Sequence, residues 1–252
     1  MTDLQTYTIA IVGALIAGGI NTLAGNGSAI TLTILTEVLG LPPNIANGTN
    51  RIGVFTQCAA TSWVFHKNGK LNIKRNTKYI LPIFIGAIAG ALLAVNVSNE
   101  EFKAVFKFMM IFMLVAVLVR PKRWLRETDL EFKPKWFIYI PALFALGFYG
   151  GFIQMGMGVF FLIIMVLAFR MNITESNALK GFVIGLYTLM VIALFHFQGL
   201  IDWKLGAIMA VGQTLGGYVT AKFATKNKKA DQIAYYVLII VLIMAVLKLF
   251  LG

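Results

Sequence analysis

Residues 64–74 read VFHKNGKLNIK, and residues 194–204, which lie 130 positions later, read LFHFQGLIDWK. The same offset pairs Asn47 with Asn177, and it places the chain's two histidines at equivalent positions. A repeated, strongly apolar chain is typical of transporters built from two structural repeats, whose site lies where the repeats meet. The duplication therefore predicts two related halves in one chain.

The composition indicates a membrane protein. Hydrophobic residues make up 59% of the chain and charged residues 13%, whereas soluble domains contain about 25% charged residues. No polar stretch is long enough to form a separate soluble domain. The apolar residues fall into ten segments, at roughly 7–24, 28–40, 45–66, 78–95, 102–120, 136–155, 158–170, 176–197, 203–223 and 231–251.

Two of these segments, 28–40 and 158–170, are short. A relaxed membrane crossing takes about 20 apolar residues at about 1.5 Å each. The two short segments would each cover only about 20 Å as helices. They occupy corresponding places in the two halves, so we expect them to be half-helices that follow a break.

The net charge of +12 does not indicate nucleic-acid binding. The basic residues lie in three short connections between apolar segments, at residues 67–78, 120–135 and 222–229. Multi-span proteins place such clusters on the cytoplasmic side of the membrane. The lipid bilayer is therefore the expected partner of these residues, and nucleic acid is not.

The distribution of charge predicts that the two halves cross the membrane in opposite senses. The loop at 67–78 is basic, whereas its counterpart near residue 202 is nearly neutral. The loop at 96–103 is acidic, whereas its counterpart at 222–231 is basic. This reversal predicts an all-α polytopic membrane protein with two inverted-topology repeats of about five segments each. The expected division is a first repeat at 1–120, a cytoplasmic basic linker at 121–135 and a second repeat at 136–252, with both termini outside.

Glycine-rich breaks precede both short segments. Residues 18–34 read GGINTLAGNGSAITLTI, and residues 150–164 read GGFIQMGMGVFFLII. The Gly-x-Gly pairs of the two breaks align after a shift of one residue. Glycine allows left-handed backbone and close approach to a ligand, and the first amides of the following helix can bind an anion. The alternative is close helix packing through small residues. The candidate residues are Gly25, Asn26, Gly27, Ser28, Gln154, Gly156 and Gly158.

Two cations lie about one turn inside apolar segments. Arg51 and Lys180 are one position apart in the alignment of the halves, and neither has an acidic residue at i±4. Intramembrane charges usually face a cavity, so we expect both to point at the helix starts and to bind a small anion. The alternative is that both extend to lipid headgroups. The expected neutral donors are Asn47, Asn50, Gln57 and Asn177.

These residues carry a resemblance to a known family. The motifs AGNGSAI, LGLPPNIANGTN and KNGKLNIK, at residues 24–30, 39–50 and 67–74, resemble the TauE/SafE (sulfite exporter, TSUP) family. The second half looks like a degenerate copy, so the resemblance covers nearly the whole chain. It implies a multi-pass inner-membrane transporter for sulfite, a sulfonate or a related organosulfur anion, with alternating access at the repeat interface.

Other functions have less support in the sequence. An anion channel needs the same polar cavity, and the sequence does not separate it from a carrier. A membrane scaffold has no use for matched helix breaks. An intramembrane enzyme is the weakest alternative, because both histidines sit at segment ends. We therefore expect no catalytic residue, no metal and no cofactor. A coupling ion such as a proton and the oligomeric state are left open.

The inverted arrangement predicts the sidedness of the loops. Single cysteines placed near residues 70 and 99 of a Cys58→Ser protein should react with an impermeant thiol reagent from opposite sides of the membrane. Cysteines in the linker and near residue 228 should label from the same side as the one near residue 70. Labelling of the loops near 70 and 99 from one side would rule out inversion.

Overall fold

The computed structural model describes residues 3–94, 115, 118, 124–129, 131, 132, 135–152 and 154–251. Regular structure within these ranges is helical throughout, which confirms the predicted all-α class. The predicted fifth segment and the acidic loop at 96–103 lie almost wholly outside the described residues. The helices are α1 (Asp3–Leu23), α2 (Gly27–Thr33), α3 (Pro43–Lys67), α4 (Ile73–Ala94), α5 (Trp136–Phe152), α6 (Met157–Ile163), α7 (Ile173–Phe197), α8 (Trp203–Lys226) and α9 (Ala230–Leu251).

The two short segments are half-helices, as predicted. Helices α2 and α6 each continue into a π-helical turn, and the complete apolar helices are Gly27–Val38 and Met157–Ala168. The chain then leaves each π turn through a left-handed residue, Gly40 with φ 68° and Arg170 with φ 55°. These residues are 130 positions apart, so the duplication extends to this turn.

Helix α2 folds back along α1 and forms a helical hairpin. A Cβ at Gly27 would lie 2.0 Å from the carbonyl oxygen of Ala17, whereas a Cβ at Gly13 would lie 2.3 Å from Ile34 Cδ1. Residues later in α2 therefore contact residues earlier in α1, as in an antiparallel pair. Helix α6 returns along α5 in the same way, since Tyr149 packs edge-on against Phe160 with ring centroids 4.9 Å apart.

Helices α3 and α7 cross the centre of the protein, and each contains 25 residues. A Cβ at Gly181 would lie 3.0 Å from Thr61 Oγ1, and one at Gly48 would lie 2.7 Å from Phe195 Cδ1. The start of α3 thus meets the end of α7, so these equivalent helices are antiparallel. Their antiparallel packing agrees with an inverted arrangement, while the orientation of the halves in the membrane stays a prediction.

The outer helices of each half pack against helices of the other half. Helix α1 packs on α8 so closely that a Cβ at Gly216 would lie 1.9 Å from the carbonyl oxygen of Leu15. Helix α5 packs on α4 equally closely, with 2.0 Å from a Cβ at Gly147 to the carbonyl oxygen of Ile83. The first helix of each half therefore lies against the fourth helix of the other half. The two halves therefore pack together as a single domain.

The exterior is apolar, as expected for a protein in a bilayer. Large aliphatic side chains face outward, for example Val12 at 53%, Leu81 at 63% and Val219 at 64% exposure. Among the described residues, three helices are long and apolar enough to cross a membrane: Gln5–Leu23, Ile73–Ala94 and Ile173–Phe197. Helix α4 begins at Ile73, five residues before the predicted segment. Part of the predicted basic loop therefore forms the first turns of this helix.

The described part of the linker docks on the second half. Trp124 is fully buried and stacks on Tyr235, with ring centroids 5.6 Å apart. The Thr128 hydroxyl oxygen accepts a hydrogen bond from the backbone N–H of Asn172 at 2.9 Å. Asp129 accepts one from Arg170 at 3.0 Å, and this bond holds the pKa of the Asp129 carboxyl below its usual value. The linker is thus held against the loop between α6 and α7.

Candidate functional site

The two glycine breaks touch each other inside the protein. A Cβ at Gly25 would lie 2.3 Å from the carbonyl carbon of Gly158, and a Cβ at Gly158 would lie 2.5 Å from Gly25 Cα. Gly25 also has a φ of +82°, which disfavours any residue with a side chain. The tips of the two hairpins therefore meet backbone to backbone, and the close-packing role of these glycines is present in the structure.

The one-residue shift between the breaks is not kept by the helices. Helix α2 starts at Gly27 and α6 starts at Met157, which are 130 residues apart like the rest of the duplication. The Gly-x-Gly pairs consequently occupy different places relative to these helices. The second break instead turns through two left-handed residues, Gln154 with φ 55° and Gly156 with φ 75°. A left-handed residue with a long side chain is uncommon, and such backbone clusters at functional sites.

Lys180, on α7, binds the end of α1. Its ammonium donates to the carbonyl oxygens of Asn21 at 2.7 Å and Thr22 at 3.3 Å, and also to the Asn177 side-chain oxygen. The Asn177 amide in turn donates to the carbonyl oxygen of Leu23 at 3.0 Å. The carbonyl oxygens at the end of α1 thereby gain hydrogen-bond donors from the other half, and that of Asn21 also accepts from the backbone amide of Gly25 at 3.1 Å.

Arg51, on α3, binds the end of α5 in the corresponding way. Its two terminal nitrogens donate to the carbonyl oxygens of Gly150 at 3.3 Å and Gly151 at 2.8 Å. The guanidinium carbon lies 5.4 Å from the centre of the Phe195 ring. Each half therefore supplies a cation that caps the broken helix of the other.

This geometry differs from the expectation in one respect. The cations were expected to point at the starts of α2 and α6, but they bind the ends of the helices that precede the breaks. A helix end carries partial negative charge, and tertiary packing brings that end, rather than the next helix start, to the cation. Headgroup contact is excluded, because Arg51 is 0% and Lys180 4% exposed.

Around the first break, the neutral side chains are mutually hydrogen-bonded. Gln57 donates to the carbonyl oxygen of Gly18 at 3.2 Å and to Thr22 Oγ1 at 3.1 Å. The same side chain accepts a hydrogen bond from Asn21 at 3.2 Å. These bonds leave the predicted residue Gln57 fully engaged within the first half.

Asn50 is the centre of a second buried cluster, which joins both halves. Its oxygen accepts hydrogen bonds from Thr31 at 2.6 Å and Gln213 at 3.2 Å, and its nitrogen donates to Gln154 at 3.5 Å. Neither Thr31 nor Gln213 was predicted from the sequence. The signal that identified Asn50, a polar residue inside an apolar segment, also applies to Gln213.

The remaining predicted residues are buried but are not all together. Asn26 is 1% exposed and borders a cavity of about 270 Å³ between α1, α2 and α9. Ser28 is 5% exposed, and its carbonyl oxygen accepts from Thr31 at 3.2 Å. Asn47, at 8% exposure, lies one turn before Arg51 on α3. Gln154 is the predicted residue that directly links the second break to Asn50.

The site is therefore cationic and rich in neutral hydrogen-bonding groups. Within the described ranges, the ion pairs Arg75–Glu175 and Arg170–Asp129 are present, and neither involves Arg51 or Lys180. The same residues contain no group of three potential metal ligands. Interlocked broken helices with buried charges at their meeting point define a membrane transporter of the broken-helix class.

Comparison with known proteins identifies the family. The sulfite exporter TauE/SafE family profile matches residues 10–249. The chain belongs to the sulfite exporter TauE/SafE family. No solved structure matches it.

Several curated proteins are similar over most of their length, and all are named as membrane transporters. A probable membrane transporter protein, ORF9, of Sinorhizobium sp. is 31% identical over 228 residues, covering 89% of this chain and 86% of that protein. One from Haemophilus influenzae is 28% identical, with 84% and 83% covered. YfcA of Escherichia coli is 26% identical, with 86% and 80% covered. These relatives are named as transporters rather than as enzymes.

The contact between the hairpin tips predicts a large steric effect at Gly158. Gly158→Ala should destabilise the protein by about 3 kcal/mol or more, because the added methyl group displaces the backbone of Gly25. Gly199→Ala is the matched control: Gly199 has open space around it and a φ of +68°. Its cost should be about 1–2 kcal/mol, from backbone conformation alone.

Thermal unfolding of the two purified variants in detergent measures this difference. An equal loss of stability at both positions would contradict the tip contact. Gly27→Leu and Gly158→Leu should in addition abolish transport, and full transport by both would separate the breaks from the site.

Proposed function

We propose that this protein carries a small sulfur-containing anion, such as sulfite, a sulfonate or a related organosulfur compound, across the cell membrane. Transport proceeds by alternating access at the interface between the two halves. The observation that carries the proposal is the pair of buried cations, Arg51 and Lys180, which have helix-end carbonyls rather than carboxylates as partners.

The charges at the site favour an anion. A helix C-terminus is equivalent to roughly half a negative charge, so two helix ends offset about one of the two buried positive charges. About one positive charge remains in a region of low dielectric, where an uncompensated charge is expensive. A bound monoanion would neutralise it, and a bound cation would add to the cost.

The chemistry of the donors suits an oxyanion. Arg51 presents a planar guanidinium, which matches two oxygens of one ligand, and Lys180 acts as a secondary point charge. We assign the anion to the meeting point of residues 25–28 and 156–158. The neutral candidates are Asn26, Ser28, Asn47, Asn50, Gln57, Gln154 and Asn177, of which Asn50 and Gln154 are hydrogen-bonded to each other across the two halves. The name of the family, which refers to sulfite export, supports a sulfur oxyanion.

The arrangement of the helices supports alternating access. The equivalent helices α3 and α7 are antiparallel, and the charge distribution predicts opposite orientations for the halves. Inverted repeats can exchange inward-open and outward-open states by moving one half against the other. The hairpin tips, which meet at Gly25 and Gly158, lie where that movement would open or close the path. Multi-pass insertion in the cell membrane follows from the same proposal.

Exchange transport in proteoliposomes tests the function. Vesicles loaded with unlabelled sulfite should accumulate labelled sulfite from outside, and methanesulfonate should compete, whereas vesicles loaded with chloride should not accumulate the label. Clamping the membrane potential at zero with valinomycin and potassium separates a carrier from a channel: electroneutral exchange should persist, whereas accumulation through a channel is driven by the potential and should be lost. Absence of exchange for every sulfur oxyanion tested, in correctly folded protein, would overturn the proposal.

Substitution of Arg51 tests the assigned site. Arg51→Gln should weaken sulfite binding roughly tenfold to a hundredfold, because hydrogen bonds to a charged group are lost. Arg51→Lys should recover part of this affinity, since lysine keeps the charge but not the planar fork. Arg75→Gln is the matched control, because Arg75 is partly exposed and pairs with Glu175.

Calorimetry on monodisperse protein measures the affinities in this series. Arg51 also caps α5, so unliganded stability is measured in parallel and is expected to fall in Arg51→Gln. An unchanged affinity in folded Arg51→Gln protein would show that Arg51 acts as a helix cap alone.

A further inference from the structure

Tyr187 is a buried residue of α7 that the assigned site does not yet include. Its side chain is 0% exposed, and a Cβ at Gly150 would lie 2.7 Å from its hydroxyl oxygen. Gly150 is also the residue whose carbonyl oxygen accepts from Arg51. The Tyr187 hydroxyl thus adjoins the end of α5, beside Arg51, and it has no hydrogen-bond partner in the part of the chain that the structure describes.

The equivalent residue in the first half behaves differently. Gln57 lies 130 positions before Tyr187 and faces the end of α1 as Tyr187 faces the end of α5. Its amide is bonded to Gly18, Thr22 and Asn21. The Gln57 amide is therefore satisfied within the first half, whereas the Tyr187 hydroxyl is not; at the first break itself, the Asn26 side chain is also buried without a partner among the described residues. A buried hydroxyl without a partner is destabilising, so its retention needs a reason.

Two further donors around the second break are also unpartnered. The Arg51 Nε and the Gln154 Nε2 are buried, and neither has a hydrogen-bond partner among the described residues. Gln154 is 4% exposed, and its backbone is left-handed. All three groups can donate a hydrogen bond, and an Nε–H and an amide N–H can only donate. A ligand that bonds to them must therefore supply acceptors.

We infer that the transported anion binds asymmetrically, beside the second break, and that the Tyr187 hydroxyl donates a hydrogen bond to one of its oxygens. This inference rests on the proposed function and adds to it a specificity-determining residue and a preferred ligand shape. Three separate donors suit an anion with three acceptor oxygens on one centre, as in sulfite or a sulfonate. Such an anion can give each donor an oxygen of its own, whereas a halide presents a single acceptor to all three, so we expect the oxyanion to be preferred.

The test removes the Tyr187 hydroxyl alone. Tyr187→Phe should weaken the binding of sulfite and methanesulfonate by about tenfold or more. The unliganded variant should be at least as stable as the wild type, because the lost hydroxyl had no partner. Tyr149→Phe is the matched control: the Tyr149 hydroxyl lies at the same break but already donates to the Met155 carbonyl oxygen at 2.8 Å. Its loss should lower stability and leave affinity unchanged.

Calorimetry and thermal unfolding with and without sulfite, methanesulfonate or chloride separate the outcomes. Wild-type affinity in Tyr187→Phe would overturn the inference and leave the proposed function intact. Chloride binding as tight as sulfite binding would overturn the preference for three oxygens. Failure of the wild type itself to bind any sulfur oxyanion would overturn the proposed function, and the inference with it.

Discussion

The structure depends on the exchange of helix caps between its two halves. Lys180 satisfies the end of α1, and Arg51 satisfies the end of α5. A helix that stops inside a membrane protein leaves carbonyl groups without partners in the helix, and the bilayer core contains no water that could satisfy them. A cation from the opposite half solves this problem and is itself stabilised by the negative end of the helix. The hydrogen bonds between each cation and its helix end thus offset both the cost of burying the charge and the cost of breaking the helix.

The glycines have a different role from the one that their flexibility alone would indicate. Gly25 needs its left-handed backbone, but Gly158 has ordinary backbone and needs the absence of a side chain. The same close approach recurs between α1 and α8 and between α4 and α5. Lipid is as apolar as the helix surfaces, so there is no hydrophobic driving force between helices in a bilayer. Small residues at these contacts stabilise the association instead, because they let the backbones pack closely. Packing and site construction therefore use the same residues.

Much of this architecture could be predicted from hydropathy and charge. The short segments, the helix breaks and the buried cations depend on local composition, and they occur where the sequence indicated. The direction of the cation contacts could not be predicted, because it depends on how the hairpins interlock. Tyr187 was missed because a tyrosine inside an apolar segment is normally a core aromatic residue. Arg170 was missed because its partner in the duplication, Gly40, suggests a glycine in the left-handed turn.

The exchange of caps also imposes an order on biosynthesis. Arg51 is synthesised before α5, so the second hairpin can be capped as soon as it enters the membrane. The end of α1 precedes Lys180 by more than 150 residues along the chain. Until α7 leaves the ribosome, the end of α1 lacks its native partner and the first half is incomplete. A nascent chain stopped before α7 should accordingly need help from the insertion machinery or be degraded, whereas two halves produced separately could still assemble by supplying each other's cations.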